Sequence, residues 1–385
     1  PRSRWLYIFF LVSGLAALAL GPLAGGLFIL LSLIGQQVAE PLSVTTIGVS
    51  VAALGLVFGS ALAWTGYQGL HERPSHPFRP GRGWLWGCLV GLGLILLFGQ
   101  IVISFDLLPP VTFPLFHVLA IALPAIVILV LVGRGVGDGV PASTQRQVVG
   151  QMALGAFVAT AISFTVEAVA VVTEIFIVGT VLALAPGGLA QLNELQALLS
   201  DPARLQDLQA LAHWLLKPWI LLPVILLLVV IAPLVEELAK SIGVPLYALG
   251  TGRKPSLAQG WLWGIAVGVG FAITEGLFNG AANIPFWAGI ALLRVGTTGM
   301  HVITAGLTGV GWARTLASRR LGSFLGSYLA SVTLHSLWNG LTVLIIVSSL
   351  WVMVKPEDPI SMTGGGVGVV VGLVGLLLLT LSLIH

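Results

Sequence analysis

Read from its first residue, the chain alternates long apolar runs with short polar breaks. Apolar segments fall at about 5–34, 46–66, 84–105, 115–133, 148–185, 218–238, 260–282, 286–312, 323–352 and 364–384. A helix needs roughly 17–25 such residues to cross a hydrocarbon core of about 30 Å. Counted once each, these runs predict ten transmembrane helices. Two are awkward. The first contains Pro22 and the pair Gly25-Gly26, so a broken or re-entrant helix is expected there. The fifth would be roughly 55 Å long at 1.5 Å per residue, and is expected to tilt or to project from the bilayer.

The only long polar stretch runs from Pro186 to Lys217, between spans five and six. Leu192, Leu195, Leu198 and Leu199 make one apolar stripe at helical spacing, and Leu205, Leu208, Leu211 and Leu215 make another. Asp201-Pro202 reads as a helix start, with the acid as cap and proline in the first turn. Two amphipathic helices lying on the outer membrane face are expected, either a plain connecting hairpin or a gate.

Composition agrees with the pattern. Of the 385 residues 57% are hydrophobic and 8% charged, against about 25% charged in ordinary globular chains. This is an all-α polytopic membrane bundle by expectation. Cys88 is the only cysteine, which excludes disulfides and Cys-type zinc sites. No basic patch interleaved with aromatics appears, so no nucleic acid partner is expected. Arg2 and Arg4 before an apolar run, with Ala17-Leu18-Ala19 beyond, mimic a signal peptide. The apolar character resumes after Gly26, and a retained first span is the better reading. With the N-terminus in the cytoplasm, 13 of the 17 lysines and arginines fall on the inner side, leaving Arg204, Lys217, Arg294 and Lys355. That asymmetry predicts a multi-pass membrane protein with its N-terminus in the cytoplasm.

The candidate chemistry clusters in spans six to nine. Glu236 and Glu237 close the sixth span and project about 100° apart around a helix. Lys240 is one turn on, within reach of either acid. The plain reading is a helix end where the pair snorkels to the headgroups. The seventh span argues against it. Gly260, Gly264, Gly268, Ala272, Gly276 and Gly280 recur every four residues, a small-residue stripe that admits a close neighbour. Phe271 and Glu275 lie beside that stripe, with Glu275 too deep to snorkel easily. His301 is central in the eighth span, with Thr304, Ala305 and Thr308 along its face. In the ninth, His335 and Asn339 are one turn apart.

Three acids and two imidazoles in four successive spans fit a hydrolytic metal site with N/O ligands, an open water position and a carboxylate base. Each central ionised group costs roughly 2.5–3.5 kcal/mol on insertion scales, so several cost on the order of 10 kcal/mol. Zinc in peptide sites yields about 10–16 kcal/mol, which permits a metal without demanding one. Other polar residues carry less. Glu167 and Glu174, seven apart, share a face of span five and either line an aqueous path or lie outside the core. His117 and Arg294 are expected at interfaces, and His71, His76 and His385 have no metal spacing.

The succession Glu236-Glu237-x-x-Lys240, Phe271-x-x-x-Glu275, His301 and His335-Ser-Leu-Trp-Asn339 resembles the PrsW family of intramembrane proteases, over roughly residues 218–350. That family is grouped with the CAAX prenyl endopeptidases. Those enzymes carry Arg where this chain has Ser241 and His where Glu275 stands, so the likeness to PrsW is better. The resemblance implies cleavage of a membrane protein partner, such as a single-span anti-sigma factor, in the lipid bilayer. It also implies Glu236, Glu237, Glu275, His301 and His335 as the functional set.

As expectations, Glu236, Glu237, Lys240 and Asn339 are catalytic, with Asn339 as oxyanion donor, and Glu275, His301 and His335 hold zinc. A glutamate-activated water acting without metal stays open, and so does a proton-coupled transporter using the same groups as a relay. The chain divides by expectation into scaffold helices (1–185), amphipathic linkers (186–217), a catalytic core (218–352) and a last span (353–385).

Overall fold

The computed structural model describes residues 4–34, 41–135, 143–201, 204, 207–281, 284 and 287–384. Arg2, Pro202, Leu205 and His385, named above, lie outside them. Among the described residues ten helices are long and apolar enough to cross a membrane. In chain order the helices are α1 (Arg4–Ile34), α2 (Pro41–Leu70), α3 (Gly83–Ser104), α4 (Pro109–Gly135) and α5 (Gln145–Leu184). Two short helices come next, α6 (Gly188–Leu199) and α7 (Leu208–Leu215). The rest are α8 (Pro218–Thr251), α9 (Leu257–Gly280), α10 (Trp287–Ser318), α11 (Gly322–Val354) and α12 (Pro359–Thr380). No strand occurs among the described residues; one isolated bridge joins Pro77 and Thr144.

The first span is not broken. α1 is helical from Arg4 to Ile34 with Pro22 inside it. Gly14, Gly21 and Gly25 sit against α2, where a Cβ on Gly21 would come within 2.6 Å of the Gly55 Cα. Backbone contact of this kind holds the helix on both sides of the proline. The fifth span is one helix of 40 residues, as its length requires. Two helices form in the stretch expected to hold two, α6 and α7; α7 is capped by Asp207, and the expected start at Asp201-Pro202 runs into residues outside those described. The Asp207 carboxylate accepts from the Gln209 and Ala210 amides at 2.9 and 3.1 Å.

The chain forms two compact units. One contains residues 1–161 and 237–331, the other 162–236 and 332–385. At the centre of the first is α9, with 83% of its apolar stretch buried. Ile265, Val269 and Ile273 of α9 pack with Ile121 and Ala125 of α4, Val148 and Ala156 of α5, and Val302 of α10. The glycine stripe makes this possible. A Cβ on Gly264 would overlap the Ala305 carbonyl oxygen, and one on Gly268 would lie 2.7 Å from that of His301. Farther along, Gly276 and Gly280 meet Ile121 and His117 of α4. Gly264→Ala is therefore expected to force α9 and α10 apart at a cost of about 1–3 kcal/mol, read as a lower melting temperature in detergent. Gly289→Ala, whose Cβ meets nothing within 4 Å, should melt like the parent.

Within the second unit, α11 and α12 pack through Gly365, Gly368 and Gly372, which face Ser348 and Ile345. The Ser361 hydroxyl donates to the Trp351 carbonyl at 3.0 Å. Glu167 and Glu174 are half-buried on α5.

α8 contains a π turn at Leu226–Ile231, immediately before the segment Ala232–Ser241. Such turns take backbone carbonyls out of their i→i−4 pairing and shift the register of the helix beyond them. Leu228 offers one of these carbonyls, and the Asn339 side chain donates to it at 2.8 Å. α5 has a second π turn at Leu154–Ala159, where Thr160 and Thr274 hydroxyls donate to the Gly155 and Ala156 carbonyls at 3.0 and 3.1 Å. In both helices a polar side chain satisfies what the wider turn leaves over.

Candidate active site

In the first unit five ionisable side chains form an unbroken chain. Arg294 of α10 contacts Glu275 Oε2 of α9 at 3.0 Å, and the same oxygen lies 2.7 Å from His301 Nε2. The other ring nitrogen, Nδ1, is 2.9 Å from Lys240 Nζ, which in turn lies 2.6 Å from Glu237 Oε1. An ammonium only donates. His301 Nδ1 therefore accepts from Lys240, and Nε2 carries the hydrogen given to Glu275. Glu237, Lys240 and His301 are at most 1% exposed. Two acids and two bases joined through a neutral imidazole carry formal charges that cancel, which is how such groups persist among apolar helices.

Each position has a local cause. Glu237 and Lys240 are one turn apart on α8, so a single helix face carries both. Gly268 lets the α9 backbone approach His301, and Glu275 sits two turns further on the same helix. The Phe271 ring covers Lys240 Nζ at 4.7 Å from its centroid and lies 5.3 Å from the His301 ring. The Thr304 hydroxyl, one turn beyond His301, donates to Glu237 Oε1 at 3.0 Å, and Ser331 donates to the Thr304 carbonyl at 2.9 Å. The Asn279 amide donates to the second Glu275 oxygen at 2.7 Å.

In the second unit Glu236 of α8 and His335 of α11 face each other, 7% and 1% exposed. Glu236 Oε2 is 4.0 Å from His335 Nε2. That exceeds a hydrogen bond and is somewhat wider than the roughly 3.3–3.4 Å between two ligands of one tetrahedral zinc at about 2.0–2.1 Å each. Glu236 and Glu237 are consecutive residues of one helix, so a single peptide bond links this pair to the five-residue chain.

The residues expected from the sequence thus fall into two groups. Glu237, Lys240, Glu275 and His301 are brought together in one unit, and Glu236 and His335 in the other. Asn339 has one amide hydrogen engaged by Leu228.

Two expectations are corrected. Arg294 is not an interfacial residue: its side chain is 16% exposed and ion-paired with Glu275. Its signal in the sequence is the spacing to His301, seven residues or two turns along one face. His117 is not interfacial either. It is fully buried, with Nε2 donating to the Leu277 carbonyl at 3.0 Å and Nδ1 accepting from the Trp287 indole at 3.1 Å. Both its nitrogens are satisfied, and it ties α4 to α9 and α10.

Residues 143–374 match the family model described as PrsW family intramembrane metalloprotease. The match extends beyond the motif-bearing spans to include α5 and most of α12. No curated protein and no solved structure matches the chain.

Proposed function

The chain belongs to the PrsW family of intramembrane metalloproteases, and from that premise we propose that it hydrolyses peptide bonds of membrane protein substrates at the buried Glu/His centre of α8–α11. The observation that carries this reading is the continuous chain from Arg294 to Glu237. Scaffold helices have no need of five linked ionisable groups in apolar surroundings. A base, a polarising group and their supports do.

Glu236, His301 and His335 are each buried, and as the proposed zinc set they would supply one oxygen and two imidazole donors. A zinc ion held there would supply Lewis acidity, polarising the scissile carbonyl and acidifying water. Glu275 is then the carboxylate behind His301, orienting its ring through Nε2–H, in place of the ligand role expected from sequence. Glu237 takes a proton from the attacking water and returns it to the leaving amine. Lys240 and Thr304 hold Glu237 in place through Oε1. The second amide hydrogen of Asn339 is the candidate donor to the tetrahedral oxyanion.

A second reading rests on His301 itself. Both its nitrogens are engaged, by Glu275 and Lys240, so metal ligation requires Lys240 to leave Nδ1. If Lys240 stays, Glu237 activates water without a metal, and chelators leave cleavage unchanged.

The substrate is a membrane protein, with a single-span anti-sigma factor the class implied by the family resemblance. The host bilayer is a prokaryotic cytoplasmic membrane with the N-terminus inside. The test is co-reconstitution of the full chain with single-span membrane proteins in liposomes, then sequencing of new peptide termini. Termini that form inside or beside a transmembrane segment support the reading. Proton-coupled flux with no new termini would replace it with a transporter.

A further inference from the structure

A cavity of about 260 Å³ opens at the end of the first unit where α1 and α5 begin and α8 ends. It is several times the roughly 30 Å³ share of one water, and it is separate from the groups described above. Arg146, in the first turn of α5, and Arg253, just after α8, face it, with Tyr7 and Tyr247 beside them. No carboxylate lines it among the described residues. The guanidinium of Arg146 reaches the Arg73 carbonyl through Nη2 at 2.5 Å, while its buried Nε makes no hydrogen bond.

The walls are built rather than loose. Phe78 and Gln145 amides donate to the Ser143 and His76 carbonyls at 2.8 and 2.9 Å, strapping the α2–α3 connection to the start of α5. The Ser75 hydroxyl accepts from the Arg146 amide at 3.2 Å, and the Thr144 hydroxyl accepts from the Gln147 amide at 3.4 Å. Each therefore keeps its own O–H to donate. The cavity presents two arginines and several hydroxyl donors, and among the described residues no acid lines it.

We propose that this cavity binds a phosphate ester. Guanidinium and hydroxyl donors converging without a counter-charge are what a phosphate group takes. Basic pockets between membrane helices on the cytoplasmic side hold anionic lipid headgroups, and the orientation proposed above puts this end there. A phospholipid headgroup and a free phosphate compound share this chemistry, and the experiment separates them.

The full chain is placed in phosphatidylcholine nanodiscs, in discs containing phosphatidylglycerol, and in phosphatidylcholine discs with added inorganic phosphate. Its melting temperature is measured in each. A rise of several degrees with phosphatidylglycerol alone assigns the site to lipid. An equal rise with inorganic phosphate assigns it to a soluble phosphate. In either case Arg146→Gln and Arg253→Gln should each remove more than half of the rise. Arg253 is exposed, so its variant should keep the parent's melting point in phosphatidylcholine. Arg134→Gln, an exposed basic residue outside the cavity, should keep the full response. No rise in any disc, or a rise that Arg134→Gln reduces as much as Arg253→Gln, overturns the proposal.

Discussion

Glu237→Gln is expected to lower the cleavage rate by about 10²–10⁴-fold, the range lost with a general base, while the protein still inserts and folds. Glutamine keeps an Oε1 that accepts from Lys240 and Thr304, two contacts that help to hold Glu237 in the bundle. The substitution removes the capacity to take a proton from water. Glu236→Gln should also abolish cleavage, through the weaker donation of an amide oxygen toward a metal that it would share with His335. Initial rates on a reconstituted substrate, with melting temperatures beside them, separate chemistry from folding. Wild-type turnover by either variant would remove that residue from the catalytic role.

The second large effect is on stability. Lys240 is 1% exposed and bridges Glu237 and His301. Lys240→Met leaves the Glu237 carboxylate buried with its cation gone, and breaking a buried pair from one side costs about 3–5 kcal/mol. The double variant Lys240→Met/Glu237→Gln removes both charges and should recover most of that loss. Thermal or denaturant unfolding in detergent measures both. If the single variant unfolds like the parent, or the double variant is no better than the single, the bridge does not stabilise the bundle.

These expectations stand on features of unequal legibility in the sequence. The spans are plain, because lipid requires long apolar runs and little else in the chain has that length. The motif residues are plain because a charge inside such a run is costly enough to need a reason. Arg294 reads as interfacial since it stands near the start of its apolar segment. Only the two-turn spacing to His301 marks it as part of the site. His117 misleads for the opposite reason: burial inside a helix layer depends on what packs over it, and Trp287 and Leu277 come from helices far away in sequence.

The π turns have no local signature at all. Those of α5 and α8 leave carbonyls to side-chain donors, at Gly155 and Ala156 and at Leu228. The tautomer of His301 is equally hidden, because it is fixed by two partners on two other helices, Lys240 on α8 and Glu275 on α9.

The central claim is that the buried imidazoles and carboxylates serve one hydrolytic metal centre, and metal stoichiometry tests it most directly. Full-length protein purified without chelator should contain about one zinc per chain. His335→Ala and His301→Ala should each lose it, and Gly289→Ala should retain it. Chelation should stop cleavage in liposomes and zinc should restore it. Undiminished cleavage by protein shown to be free of metal would contradict the account and leave Glu237 acting on water unaided.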